Sequence, residues 1–120
     1  LTAGRKELGR VGEELAARFL QESGYVILER NWRCRSGEID LICRKGDRIV
    51  FVEVRTRSGT GYGTPEESVD ARKQRQVRET ALVYLQRKGW LEKPVSFDVV
   101  AVRRYGNESE ALCRHIPQAF

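Results

Sequence analysis

The chain has 120 residues, 32% of them charged, and its 22 lysines and arginines outnumber 17 aspartates and glutamates for a net charge of +5. That length makes one domain with a core of its own, and the positive excess points first to nucleic acid as a partner, then to acidic proteins or membrane surfaces. Cys34, Cys43 and Cys113, without CxxC spacing, argue against a zinc site or disulfide scaffold; no apolar run nears the roughly 20 residues of a membrane span, so a cytoplasmic protein is expected.

LTAGRKELGR at the start has no apolar core of a signal peptide. Methionine is absent even at position 1, as expected of a chain that has lost its first residues. Leu8, Val11, Leu15 and Phe19, with Ala16 and Leu20, then recur at helical spacing, and Gly24 is the expected stop. Glu13 lies at the edge of that apolar stripe and Glu14 well outside it. Tyr25 to Glu29 reads as a short strand. Arg30, Asn31, Trp32, Arg33 and Arg35 follow as a basic connector, in which Trp32 is read as core before it is read as a stacking platform.

Gly37 to Arg55, GEIDLICRKGDRIVFVEVR, reads as a hairpin turned at Gly46-Asp47, a two-residue loop of the kind with glycine first. That turn opposes Asp40 to Glu53. In the same register Ile39/Val54, Leu41/Val52 and Cys43/Val50 form an apolar face, while Glu38/Arg55, Asp40/Glu53, Ile42/Phe51 and Arg44/Ile49 form the other. Carboxylates directly opposed have Cβ atoms ~5 Å apart and destabilise a sheet unless something compensates. A divalent cation compensates, and hard oxygen ligands at close quarters suit Mg²⁺ or Mn²⁺. Arg55 is expected to pair with Glu38 across the strands.

SGTGYGTP, residues 58 to 65, is a glycine-rich loop without a phosphate-loop signature, read as substrate-facing. A second helix is expected from about Glu66 or Ser68 to Lys88, stopped by Gly89. Val69, Val77, Ala81 and Leu85 form its stripe, with Leu82 and Tyr84 beside it, and Lys73 holds the position where a further apolar residue is due. A lysine there either snorkels to the helix end or reaches a polar site beneath. Arg72, Arg75, Arg78, Arg87 and Lys88 face outwards, where some can track a phosphate backbone. Val95 to Val102 is a covered strand that should run parallel to a neighbour after its helical crossover. Gly106-Asn107 then turns the chain into a last strand, Ala111 to Ile116. His115 lies on it and is expected at the surface.

An Asp, a strand turn, then Glu-x-Lys on the next strand, after a helix with an early Glu, is the layout of the PD-(D/E)XK nuclease superfamily. GEELA at 12 to 16, RNWR and GEIDLI between Arg30 and Ile42, FVEVRTR at 51 to 57, the Lys73 helix and FDVVAV at 97 to 102 resemble the YraN family more closely. Those are small bacterial proteins regarded as nuclease-like and compared with archaeal Holliday junction resolvases. The likeness runs from about Arg5 to Phe120. It implies a restriction-endonuclease-like α/β fold over residues 1–120, a single nuclease-like domain with a central mixed sheet flanked by helices in the order α-β-β-β-α-β-β.

The resemblance further implies that Glu13, Asp40, Glu53 and the carbonyl of Val54 surround Mg²⁺ or Mn²⁺, with Arg55 where the family usually has lysine. A lysine can share its proton while positioning water, whereas arginine stays charged and can only stabilise. The expected function is metal-dependent hydrolysis of phosphodiester bonds, with branched DNA suggested by analogy alone. Asp40, Glu53, Arg55 and Lys73 are the candidate catalytic residues. Arg33, Arg35, Arg57, Arg72 and Arg75 are the candidates for holding nucleic acid, DNA ahead of RNA. Symmetric cutting of two strands would favour a homodimer. Arg55 also supports an alternative, a nucleic-acid-binding module with weak or no catalysis, and a protein-interaction domain on the same fold is a third reading.

Overall fold

The computed structural model describes residues 5–58, 69–104 and 111–120; the Gly59 to Pro65 loop, residues 66–68 and the Gly106-Asn107 turn lie outside the described residues. The elements are α1 (Arg5–Glu22), β1 (Val26–Cys34), β2 (Gly37–Lys45), β3 (Arg48–Ser58), α2 (Ala71–Lys88), β4 (Val95–Arg104) and β5 (Ala111–Ile116), in the expected order. The strands form one sheet with β1 and β5 at its edges. Every neighbouring pair is antiparallel except β3 and β4, which run parallel across the α2 crossover.

The helices cover opposite faces. Ala16, Ala17 and Leu20 of α1 pack on Leu41, Cys43, Val50, Val52, Val54, Val100 and Val102. Val77, Ala81, Tyr84 and Leu85 of α2 pack on Ile39, Ile42, Ile49 and Phe51, with half-buried Trp32 packed against this second cluster. β4 is inner and buried through most of its length, because both its faces carry apolar side chains. Gly24, at φ +91°, ends α1, and Tyr25 N–H closes back on the Leu20 carbonyl at 2.9 Å, the usual glycine stop. α2 begins at Ala71, later than the sequence suggests. Asp70 explains the start, since its side chain accepts from Lys73 N–H at 2.9 Å and caps the first turn.

The hairpin register is as expected from Leu41/Val52 to Lys45/Arg48. Gly46 has φ +61° and Asp47 does not share the left-handed region, as a turn with glycine first requires. Three expectations are corrected near Asp40. The β2–β3 ladder ends at Leu41/Val52, so Glu38 and Arg55 are not cross-strand partners, and Glu38 instead pairs with Arg33 on β1. Ile39 packs with Ile42 on the α2 side rather than with Leu41 and Cys43 on the α1 side. β1 continues through the expected connector to Cys34, because Trp32, Arg33 and Cys34 pair with Ile39, Glu38 and Gly37.

Candidate functional site

The ladder stops where the two acids begin. Asp40 Oδ2 accepts from Val54 N–H at 2.8 Å, and Glu53 Oε2 accepts from Asp40 N–H at 3.3 Å. Each carboxylate thus takes a backbone donor that the opposite strand would otherwise use, and the strands part around them. The two acids share a site, although not as a simple opposed pair. Glu53 is buried (1% exposed) and is met from two directions: Lys73 Nζ of α2 lies 3.5 Å from its Oε1, and Arg55 Nη1 lies 4.0 Å from the same oxygen. Of the two destinations open to Lys73, the polar site beneath is the one it reaches. Arg55 also donates to the Val54 carbonyl at 3.2 Å, so its guanidinium lies on the backbone oxygen expected to serve a metal.

Burial is the largest influence on both acids. It raises Glu53, with help from the negative charge of Asp40, up to about 7, against the pull of Lys73, the Asp40 N–H and Arg55. Asp40 is also raised by burial, opposed by the Val54 N–H, Arg55 and Lys73. Glu13 is raised by its own partial burial and by Asp40, while a side-chain hydrogen bond from Asn31 works the other way. Both charges of the Asp40 and Glu53 pair are therefore costly in the folded chain, and the two neighbouring cations offset them only in part.

These donors suit a divalent cation. The backbone occupies one oxygen of each acid, leaving Oδ1 of Asp40 and Oε1 of Glu53 as hard ligands, and Mg²⁺ or Mn²⁺ commonly takes only one or two carboxylates. Among the described residues no three His, Cys, Asp or Glu side chains converge into a ready-made metal cage. Glu13 therefore does not close on Asp40 and Glu53 as a third ligand here. It lines a neighbouring cleft of about 200 Å³ together with Arg10, Glu14, Arg30, Asn31 and Leu41. Glu14 is exposed and pairs with Arg30 at 2.7 Å.

The arginines expected to hold nucleic acid divide by environment. Arg33 is exposed but tied to Glu38, and Arg35, Arg72 and Arg75 are exposed. Arg57 is half-buried and donates to the Thr56 carbonyl at 3.0 Å. Gln76 of α2 lies so close over Gly37 that a methyl carbon added there would come within 2.8 Å of it. The first turns of α2, carrying Arg72, Lys73 and Arg75, thus sit near the β1–β2 turn that carries Arg35. Other cations of α2 cover aromatic rings: Arg78 lies 4.7 Å from the Phe97 centroid and Arg87 5.5 Å from that of Trp32.

Sequence reasoning missed a second buried carboxylate. Asp98 of β4 accepts from Ser96 Oγ and, at 3.1 Å, from Gln118 N–H, and His115 Nε2 lies 2.6 Å from its Oδ2. His115 is thus on an edge strand but turned inwards, not a surface residue. The β4–β5 register, Val100 opposite His115, brings together this pair, which lies 17 positions apart in sequence. An acid alone in an apolar strand was the available signal.

A family model described as "Uncharacterised protein family UPF0102" matches residues 12–102. Curated relatives carrying the name UPF0102 protein align over nearly all of the chain. One from Moorella thermoacetica is 51% identical over 120 residues, the whole of both chains. One from Rhodococcus opacus is 49% identical, covering 94% of this chain and 95% of its own, and one from Syntrophomonas wolfei is 47% identical, covering 96% and 98%. The chain belongs to the YraN family, UPF0102. The matched span opens at Gly12 and closes at Val102, so within this YraN family member it contains α1 from the Glu13 turn onwards, both acids, Lys73 and β4 as far as Val102. No helix among the described residues is long and apolar enough to cross a membrane.

Proposed function

We propose that this YraN family protein is a metal-dependent nuclease, cutting phosphodiester bonds of nucleic acid, DNA ahead of RNA, at Asp40 and Glu53. The observation that carries this reading is the pair of acids at the parted end of β2 and β3, with Lys73 3.5 Å and Arg55 4.0 Å from Glu53 Oε1. Asp40 and Glu53 would hold the cation. Bound there, Mg²⁺ or Mn²⁺ would supply an acidified water and a positive charge that polarises the phosphoryl oxygen.

The chain's own residues supply the rest. Glu53 and Asp40, once ionised, orient the attacking water along its line to phosphorus. Lys73 and Arg55, released from Glu53 as charge is neutralised there, meet the phosphate oxygens and stabilise the charge that grows on them. Arg55, in the position the superfamily gives to its motif lysine, remains protonated throughout, which leaves Lys73, reaching Glu53 from α2, as the amine able to share a proton. The exposed Arg35, Arg72 and Arg75 would track the backbone on either side, giving sequence-independent binding that weakens steeply with salt.

Incubation with four-way, flap, single-stranded and linear duplex DNA, and with RNA, in Mg²⁺ and in Mn²⁺, tests this reading. Cleavage by the wild type that disappears in Asp40→Ala is the expected result; equal cleavage by the variant would assign the activity to a contaminant. A second reading, a binding module without catalysis, is favoured by the Arg55 guanidinium lying on the Val54 carbonyl at 3.2 Å. Under it, DNA binding survives chelation and Asp40→Asn does not weaken it.

A further inference from the structure

Gln76 of α2 is exposed, yet its side chain is braced. A Cβ built on Gly37 at the start of β2 would lie 2.8 Å from Gln76 Nε2, 2.9 Å from its Cδ and 2.9 Å from its Cγ. Three consecutive side-chain atoms therefore lie along the bare backbone there, an approach that a residue with a Cβ would block. The amide nitrogen faces Gly37, and the oxygen at the other corner of the amide meets Lys73: Gln76 Oε1 lies 3.4 Å from Lys73 Nζ, one helical turn back. An ammonium only donates, so an oxygen is what it needs there. Lys73 Nζ is thus shared between two acceptors, the Gln76 amide at 3.4 Å and the Glu53 carboxylate at 3.5 Å. They differ in one respect. The carboxylate is an ion that a bound cation would neutralise, whereas the amide carries no charge to lose. Lys73 is half-buried on a flexible four-carbon stem, so with Glu53 as its only acceptor it would swing to solvent once that charge was taken up.

We propose that Gln76 is a positioning residue: braced on Gly37, its amide oxygen keeps the Lys73 ammonium over the acid pair when Glu53 turns to a cation, and so aims it at a phosphate oxygen. The proposal deepens the nuclease reading and rests on it for the use made of Lys73. The amide takes one of the three ammonium hydrogens, which leaves two for the substrate. A charge held in place for the transition state shows in kcat rather than in KM. Gln76→Leu keeps the bulk and loses the acceptor, and is expected to lower kcat for DNA cleavage about tenfold with KM nearly unchanged. Gln76→Glu keeps an oxygen for Lys73 and should stay within about threefold of the wild type. Both variants should melt with the wild type, because the position is exposed.

Two measurements decide it. In the metal-free protein, the ¹⁵N–¹H resonances of the Gln76 side-chain amide should shift when Lys73 is replaced by Met, which keeps the stem and removes the ammonium; resonances that ignore the replacement overturn the contact and the proposal with it. The kcat of wild type, Gln76→Leu and Gln76→Glu is then compared in Mg²⁺ on the DNA that the wild type cuts. A loss in the leucine variant that the glutamate variant restores is expected; equal rates in all three, or the same loss in both variants, overturn the positioning role. An amide that responds to Lys73 in a wild type that cuts no DNA upholds the hold on Lys73 and removes the nuclease reading instead, so the two failures are told apart.

Discussion

Glu53 and Asp98 are both acids on inner strands, and their surroundings drive them in opposite directions. Burial and Asp40 hold Glu53 above its ordinary value of 4.5, up to about 7, so in the folded chain it binds a proton more tightly than in the unfolded one. Its contribution to stability is full below about pH 4.5 and is lost as pH rises through about 7, a decline of roughly 3 kcal/mol in the metal-free protein. Urea denaturation at several pH values checks this, and Glu53→Gln should flatten the decline. Asp98 is different: burial would raise it, but His115, Ser96 and the Gln118 N–H outweigh burial and hold it below 3.8. Its stabilising effect is present above pH 3.8 and lost as pH falls below that. Asp98→Ala strips three partners of a buried acceptor, including the one that anchors the C-terminal turn, and should cost about 3 kcal/mol in the same assay at pH 7.

At the scale of elements, α1 owes its seat on β3 to one missing side chain. A Cβ at Gly12 would lie 1.9 Å from Thr56 Oγ1, an impossible approach, so only glycine lets the helix come so close beside Glu13. Alanine is the better helix former by about 1 kcal/mol, yet Gly12→Ala should destabilise the fold by about 1–3 kcal/mol as α1 is pushed off. Thermal unfolding measures the effect, and adding Thr56→Ala should restore part of the stability. The hairpin was legible in sequence because Gly46-Asp47 admits one turn and the turn dictates the register. The side taken by Ile39, under α2 with Ile42 rather than under α1 with Leu41, was not. The left-handed residue beside it, Asn31 at φ +51°, sits on a different strand, in a run that reads as a basic connector. Lys73 was legible as an anomaly in an apolar stripe, but which way it turned depended on Glu53 being beneath it. The start of α2 reads too early in sequence because the helix-compatible acids Glu66 and Glu67 precede Asp70, while the capping bond from Lys73 N–H to Asp70 decides the boundary.

Over the whole molecule, the mixed sheet covered by helices followed from element order and apolar patterning, whereas the placing of α1 and α2 on opposite faces is seen only in the packing. The Asp98 and His115 pair did not, since it depends on the β4–β5 register across a connection whose length sets no pairing. The exposed arginines near the β1–β2 turn and the start of α2 lie at the end of the sheet where Lys73 reaches Glu53. If they track a phosphate backbone, replacing Arg72 and Arg75 by Glu should weaken DNA binding and reduce the slope of log affinity against log salt by about 0.9 for each duplex phosphate no longer neutralised, as read by fluorescence anisotropy. Every step of the proposed chemistry depends on a cation at the two acids. That dependence is open to calorimetric titration of the metal-free protein with Mn²⁺ at pH 8, above the value of about 7 to which burial raises Glu53. Saturable binding by the wild type that Asp40→Asn abolishes is expected; no binding by the wild type, or the same binding by the variant, would contradict a metal centre at Asp40 and Glu53.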